Sequence, residues 1–309
     1  MNKKRYFSVV VPVFNSEKSL EELYSRLQDV FKKMRRTFEV IFVNDGSHDK
    51  SLNVLRKIKS ENENVIVIDL FKNFGQQNAL MCGFQYCKGE YVITIDDDLQ
   101  NPPEEIGKLY DKIEEGYDAV FAAYKKKKDK LYKNIGSLFI RKVNQKIFKL
   151  KNSLRFSSFR IIKREIVEEL NKIKTPYPYV SGMILSISMN LTNAEVKHSK
   201  RTFGKSNYSV RKLIKLSFNL LINYSTIPLK AISFLGLIVS FFSFVIGLSV
   251  LIRKLIVGST RAGWTSTIVL ISFFASIFFM ISFIFGEYLG RMLGEIAKDK
   301  QYSIRKIYK

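Results

Sequence analysis

Three adjacent carboxylates, Asp96, Asp97 and Asp98, end a short β-prone run at residues 91–95. Gln100 stands two residues on, and Pro102 and Pro103 open the next element, expected as a helix because proline is tolerated in a first helical turn. Like charges packed at a strand's end repel one another unless a cation compensates them. A hard divalent ion does so, since Mg²⁺ and Mn²⁺ take oxygen ligands and keep positions open for phosphate oxygens. A solvated acidic turn is the plain alternative. The strand before the cluster, the prolines after it and Gln100 beside it favour the metal site. Two weaker polar groups resemble it in placement: Pro12, Val13, Phe14 and Asn15 after one apolar run, and Asn44, Asp45, Gly46 and Ser47 after another. Asp45-Gly46-Ser47 alone reads equally as a turn and helix cap.

The elements that must position these residues follow from the pattern of apolar runs. Continuous runs at 7–14, 38–44, 65–70 and 91–95 read as strands buried on both faces of a mostly parallel sheet, and 118–123 adds another. Helical periods lie between them at 19–34, 50–60, 76–87 and 104–115. Their alternation implies βαβ units in a doubly wound α/β domain, in which ligands bind beyond the carboxyl ends of the strands. All three polar groups fall at that edge.

Beyond residue 125 the pattern changes. Residues 131–148 read as a basic amphipathic helix and 157–163 as a short strand. Residues 208–223 place Val210, Leu213, Ile214, Phe218 and Leu221 on one face and Arg211, Lys212 and Lys215 on another, as in a helix lying in a membrane interface. Two uncharged segments then follow, 22 residues at 231–252 and 25 at 262–286. Roughly 20 apolar residues span a bilayer, so both qualify as transmembrane helices.

The 309-residue chain carries a net charge of +23, concentrated in two stretches. Residues 125–151 hold eleven Lys/Arg against the single acid Asp129, and 197–215 hold seven with no acid. No nucleic-acid-binding motif accompanies this charge, and a nearby bilayer with anionic lipids explains it better, at about 1 kcal/mol per juxtamembrane basic residue. A solvated face is the alternative for residues 125–128. Cys82 and Cys87, five apart in a helical period, form neither a disulfide framework nor a zinc pattern, and the chain has only two histidines. Both cysteines are expected as reduced core residues.

No signal peptide is expected: residues 1–5 are basic, but 6–14 form a strand-like run with Pro12 and no small-residue cleavage site. The first 220 residues are therefore placed in the cytoplasm, and two spans return the C-terminus there. Three basic residues in the hairpin loop 253–261 oppose this placement, and the larger basic load elsewhere outweighs them.

With these residues assembled, the chain resembles family 2 glycosyltransferases of the polyprenyl-phosphate type. The resemblance rests on Pro12-Val13-Phe14-Asn15, Val43-Asn44-Asp45-Gly46-Ser47, Asn73-Phe74-Gly75-Gln76, the block Asp96 to Glu104, Phe159-Arg160, Phe203-Gly204-Lys205-Ser206, and Gly286 to Arg291 after the last span. The Asp block and the terminal hairpin carry most of its specificity. It implies a sheet of the GT-A type, and an inverting, metal-dependent enzyme that moves a monosaccharide from a nucleotide sugar to a polyprenyl phosphate at the cytoplasmic face of a bacterial-type inner membrane. It implies further that Pro12, Phe14, Asn15 and Asp45, with Glu17 and Asp96, hold the nucleotide sugar. Asp96, Asp97 and Asp98 would be the catalytic acids, and Asp96, Asp98 and Gln100 the ligands of Mg²⁺ or Mn²⁺. Lys133, Ser137, Arg201 and Lys205 would meet the acceptor phosphate, the first two sharing a helical face. A homo-oligomer is left open.

The expected organisation is a nucleotide-sugar-binding core at 1–124, an acceptor-side part with amphipathic helices at 125–224, two transmembrane helices within 225–290, and a basic cytoplasmic tail at 291–309. Two departures stand out. The family usually has Glu where this chain has Ser16, although Glu17 follows, and many members carry an acid near Ser158, where 154–160 has none. An alcohol acceptor would need a general base, whereas a phosphate monoester, with a second pKa near about 6, is already anionic at neutral pH. Two rivals remain. A processive polysaccharide synthase characteristically uses Gln-x-x-Arg-Trp, yet the only tryptophan here is Trp264, inside a span. A non-catalytic, membrane-tethered nucleotide-binding protein would not require the Asp96, Asp98 and Gln100 set.

Overall fold

β-branched and aromatic runs of four to eight residues do form strands, and the amphipathic periods between them form helices. The computed structural model describes residues 6–124, 154–197, 199, 263–296 and 301–309, with isolated positions between 234 and 256. In chain order these give β1 (Tyr6–Val13), α1 (Leu20–Met34), β2 (Thr37–Asn44), α2 (Ser51–Glu61), β3 (Val65–Leu70), α3 (Gln76–Phe84) and β4 (Tyr91–Thr94). A 3₁₀ turn (Pro103–Glu105) leads into α4 (Ile106–Ile113), followed by β5 (Ala119–Tyr124), β6 (Arg160–Lys163), α5 (Arg164–Lys172), α6 (Val180–Ile187) and β7 (Leu191–Val196). α7 (Trp264–Ile296) and β8 (Ile304–Tyr308) complete the described elements.

One sheet of eight strands runs in the order β7-β5-β6-β4-β1-β2-β3-β8. Its centre is parallel: β1 pairs with β2 from Tyr6↔Thr37 to Val13↔Asn44 and with β4 from Phe7↔Tyr91 to Val10↔Thr94, and β2 pairs with β3. Val9, Val10 and Val11 are completely buried, which explains why successive β1 residues are apolar. On one face lie Leu23, Leu27, Phe31 of α1 and Leu109 of α4; on the other lie Leu80 and Phe84 of α3, Leu170 of α5 and Ile184 of α6. α3 comes so close that a Cβ on Gly83 would sit 2.4 Å from Val10 Cγ1. Cys82 and Cys87 are free thiols in this core, as expected.

The region beyond residue 124 departs from the sequence reading. The strand expected over 157–163 begins only at Arg160 and runs antiparallel to both β4 and β5. The segment 164–196 builds α5, α6 and β7, none of which the apolar pattern announces. The terminal segment is not a free tail: β8 pairs antiparallel with β3, from Val67↔Tyr308 to Leu70↔Ile304 with a bulge at Asp69/Leu70. β8 covers the edge of β3 and becomes the sheet's edge in its place, a short strand carrying Arg305 and Lys306. Residues 1–213 and 298–309 accordingly form one compact unit and 214–297 a second.

In the second unit α7 is 33 residues long and exposes Ile271, Phe273, Phe278, Phe283 and Phe285. Counted over the described residues alone, no helix is long and apolar enough to cross a membrane. The amphipathic segments at 131–148 and 208–223, and most of the span expected at 231–252, lie outside the described residues.

Candidate active site

Because β1 to β4 run parallel, their carboxyl ends meet at one edge, and a cavity of about 490 Å³ opens there. Its wall takes Pro12 from the end of β1 and Phe14 just beyond it, Asp45 just beyond β2, Gln76 from the start of α3, and Asp96, Asp97, Asp98 and Gln100 from the turn after β4. Tyr124, Ser157 and Ser158 complete the lining.

Each of the three adjacent carboxylates has a different environment. Asp96 is held from three sides: Gln76 Nε2 donates to Oδ1 at 2.5 Å, and Asn101 Nδ2 at 3.1 Å and Ser158 Oγ at 2.5 Å donate to Oδ2. Burial nevertheless raises its pKa, and Asp98 adds to the rise. Asp97 accepts the Phe14 amide at 3.0 Å, while Ser19 donates to its carbonyl oxygen, so this residue ties the β4 turn to the end of β1. Burial pushes its carboxyl up to about 6. Asp98 Oδ1 accepts the Gln100 amide at 3.1 Å across Leu99. That leucine is buried and sits at φ 59°, a left-handed conformation that a branched side chain rarely adopts. Strain of this kind persists only where its surroundings hold it, and here it bends the chain so that both Asp98 and Gln100 line the cavity.

The second wall is built from backbone. Asp45, almost fully buried, accepts the Phe74 amide on Oδ1 at 2.7 Å and the Gly75 amide on Oδ2 at 2.9 Å. Burial raises its pKa despite these two donors. Gly46 (φ 65°) is required beside it, since a Cβ there would stand 2.6 Å from both Asn73 N and Lys72 C.

Of the expected nucleotide-sugar residues, Pro12, Phe14, Asp45 and Asp96 come together. Asn15 and Glu17 are not among the residues that line the cavity. Asn15 Oδ1 accepts the His48 amide at 2.8 Å, and Glu17 Oε2 accepts the Lys50 amide at 2.9 Å. Both side chains supply acceptors to the amides leading into α2, which lack intrahelical partners. Lys133, Ser137, Arg201 and Lys205 lie outside the described residues.

Several site residues had no role in the sequence reading. Gln76, Asn101 and Arg160 stood inside quoted motifs, but nothing in the one-dimensional pattern aimed them at Asp96. Tyr124, the last residue of β5, hydrogen-bonds to Asn101 Oδ1 and meets Ser157 Oγ at 3.0 Å. Arg160 is 1% exposed, donates to Thr94 Oγ1 at 3.1 Å and Ser181 Oγ at 2.8 Å, and is attracted to Asp96. Burial without a carboxylate hydrogen bond lowers its pKa to about 10. A charged residue in an apolar strand was the available signal.

Among the described residues no group of three or more His, Cys, Asp or Glu side chains is arranged to hold a metal by itself. The donor set on offer is Asp98, Gln100 and, behind its hydrogen bonds, Asp96. All are oxygen donors, and Asp96, Asp98 and Gln100 line one cavity. That chemistry fits a hard divalent ion completed by phosphate oxygens.

A family model described as Glycosyl transferase family 2 matches residues 8–171. The glycosyltransferase YkcC of Bacillus subtilis (strain 168) is 34% identical over 311 residues, covering 100% of this chain and 96% of its own length. Undecaprenyl-phosphate 4-deoxy-4-formamido-L-arabinose transferase of Pseudomonas fluorescens is 33% identical, covering 98% of this chain and 90% of its own. Among solved structures, glucosyl-3-phosphoglycerate synthase from Mycobacterium tuberculosis, in complex with Mn²⁺, uridine diphosphate and phosphoglyceric acid, shares the fold with a TM-score of 0.53 at 19% identity. That match covers 70% of this chain and 78% of the synthase.

Proposed function

The chain belongs to glycosyl transferase family 2, and on that premise we propose that it transfers a monosaccharide from a nucleotide sugar to a polyprenyl phosphate, with inversion, at the cytoplasmic face of a membrane. The observation that carries this reading is the strained Asp96–Gln100 turn, which presents carboxylates to a cavity walled by the ends of β1 and β2. Asp98 and Gln100 would hold a divalent ion that neutralises the donor's diphosphate, as the Mn²⁺-bound fold neighbour suggests. Pro12, Phe14 and Asp45 line the space for the nucleotide.

In the reaction, an oxygen of the acceptor phosphate forms a bond to the anomeric carbon while the bond from that carbon to the diphosphate breaks. The nucleoside diphosphate leaves with the electron pair. In the stretch 154–160, where many family members carry an acid, the chain presents Ser157 and Ser158 to the cavity, and the Ser158 hydroxyl already donates a hydrogen bond to Asp96. An acceptor ionised in solution needs no base, only positioning and charge neutralisation. Lys133, Ser137, Arg201 and Lys205 are proposed for that task.

The membrane reading has three supports. α7 exposes a run of large apolar side chains, and a Cβ on Gly236 would meet Ile281 Cδ1 at 3.5 Å, as in a packed helix pair. β8 lies in the same sheet as β1, so a membrane segment between residues 214 and 297 would have to cross an even number of times. Two crossings match the two uncharged segments. Incubating membranes that contain the protein with a panel of nucleotide sugars and undecaprenyl phosphate, followed by mass spectrometry of the lipids, tests the proposal. A glycosylated lipid phosphate that disappears in Asp98→Ala supports it. Donor hydrolysis with no lipid product refutes it.

A further inference from the structure

We infer that Arg305 and the strand it sits in are a positioning device for the donor wall of the cavity, built from the far end of the chain. The inference rests on the transferase reading above for the identity of the wall, and on the following contacts for the bracing itself. β8 ends its pairing with β3 at Leu70, where the register shifts. Past that point regular pairing stops, yet two further bonds continue into the loop: the Phe71 amide donates to Ser303 O at 3.0 Å, and Arg305 Nη2 donates to Phe71 O at 3.0 Å. Both backbone groups of Phe71 are therefore held by residues 303 and 305. The Arg305 guanidinium also lies 5.4 Å from the centre of the Phe71 ring. Its Nε is 3.9 Å from Asp69 Oδ2.

From these contacts the connection to the cavity is short. Asp69 Oδ1 accepts Asn44 Nδ2 at 2.7 Å, joining the end of β3 to the end of β2 beside Asp45. Two residues beyond Phe71, Asn73 lines the cavity, and Asp45 clamps the next two amides. The helix that starts there carries Gln76, which holds Asp96. Lys72 and Asn73 are thus fixed at one end by Arg305 and at the other by Asp45. Arg305 is half exposed and does not line the cavity, so its effect on the loop passes through its contacts with Phe71 and Asp69. Arg305 acts through Phe71 and Asp69 and is a positioning residue.

The test uses the full-length protein in lipid nanodiscs, with Arg305→Ala and Arg305→Lys compared to wild type. Hydrogen–deuterium exchange reads the brace directly, and calorimetric titration with uridine diphosphate in Mn²⁺ reads its consequence. In Arg305→Ala, exchange of peptides covering 72–76 should accelerate roughly three- to tenfold while peptides of α1 stay unchanged. The uridine diphosphate dissociation constant should rise by a similar factor. Arg305→Lys, which keeps one donor for Phe71 O, should fall between the two. Unchanged exchange at 72–76, or a uniform acceleration that includes α1, would overturn the inference. A wild type that binds no uridine diphosphate would instead count against the nucleotide reading, and the exchange data would still decide the brace.

Discussion

The substitution Ser158→Asp tests whether the chemistry needs a carboxylate base, because it restores an acid where many family members carry one. In this structure Ser158 Oγ donates to Asp96 Oδ2 at 2.5 Å. An aspartate there would lose that donor and face a second carboxylate at close range. A hydrogen bond to a charged acceptor is worth about 1.5–3 kcal/mol. Two carboxylates about 4 Å apart, at an effective dielectric near 20, repel by about 4 kcal/mol. The pair relieves much of this by keeping one proton, which it can do readily since burial already raises the Asp96 pKa. What remains is a displaced Asp96 and a proton or charge where an anionic phosphate must approach. Taking about 3 kcal/mol as the surviving part gives a loss in kcat/KM on the order of a hundredfold. Ser158→Ala, which removes only the donor, should cost about tenfold. The assay is initial-rate lipid glycosylation across pH. Wild type should lose activity on the acid side near the second phosphate pKa, about 6, because the acceptor itself titrates. A severalfold gain in turnover for Ser158→Asp, with the acid limb moved downward, would refute the substrate-ionisation account and assign the base to a protein carboxylate.

Asp98→Ala should abolish transfer while leaving the circular dichroism spectrum and melting temperature close to wild type, and a chelator should silence wild type until Mg²⁺ or Mn²⁺ is restored. Gly46→Ala should destabilise the fold by about 2 kcal/mol or more in chemical denaturation, because it adds left-handed strain and a Cβ 2.6 Å from the Lys72–Asn73 backbone. The same variant should raise the KM for donor more than for lipid acceptor. Burial pushes the Cys82 thiol up to about 12 and the Cys87 thiol higher still, so thiolate is present only well above neutral pH. Neither should react with iodoacetamide at pH 8 in the folded protein, and both should react after unfolding, as counted by mass spectrometry.

The central sheet and the carboxylate turn at its edge were legible in the chain itself. Strands buried on both faces must be continuously apolar, so β1 to β4 announce themselves, and parallel order sends every polar group at their carboxyl ends to one edge. Adjacent carboxylates at such an end, with Gln100 beside them and the prolines after them, mark the turn as a candidate cation site. What Asn15 and Glu17 do was not legible, because a polar residue in a loop carries no mark of whether it faces a ligand or an orphaned helix amide. Gln76, Tyr124 and Arg160 were equally silent: each reaches the Asp96 network across 20 to 64 positions of sequence, and only the crossing of strands and helices brings them there. The terminal residues 304–308 read as a basic tail because two of the five are charged. Whether such a segment stays in water or closes a sheet depends on an unpaired edge elsewhere in the fold, and β3, more than 230 positions away, supplies it. Local residue type therefore determined the chemistry at the edge of the sheet, while long-range pairing decided which side chains are free to perform it.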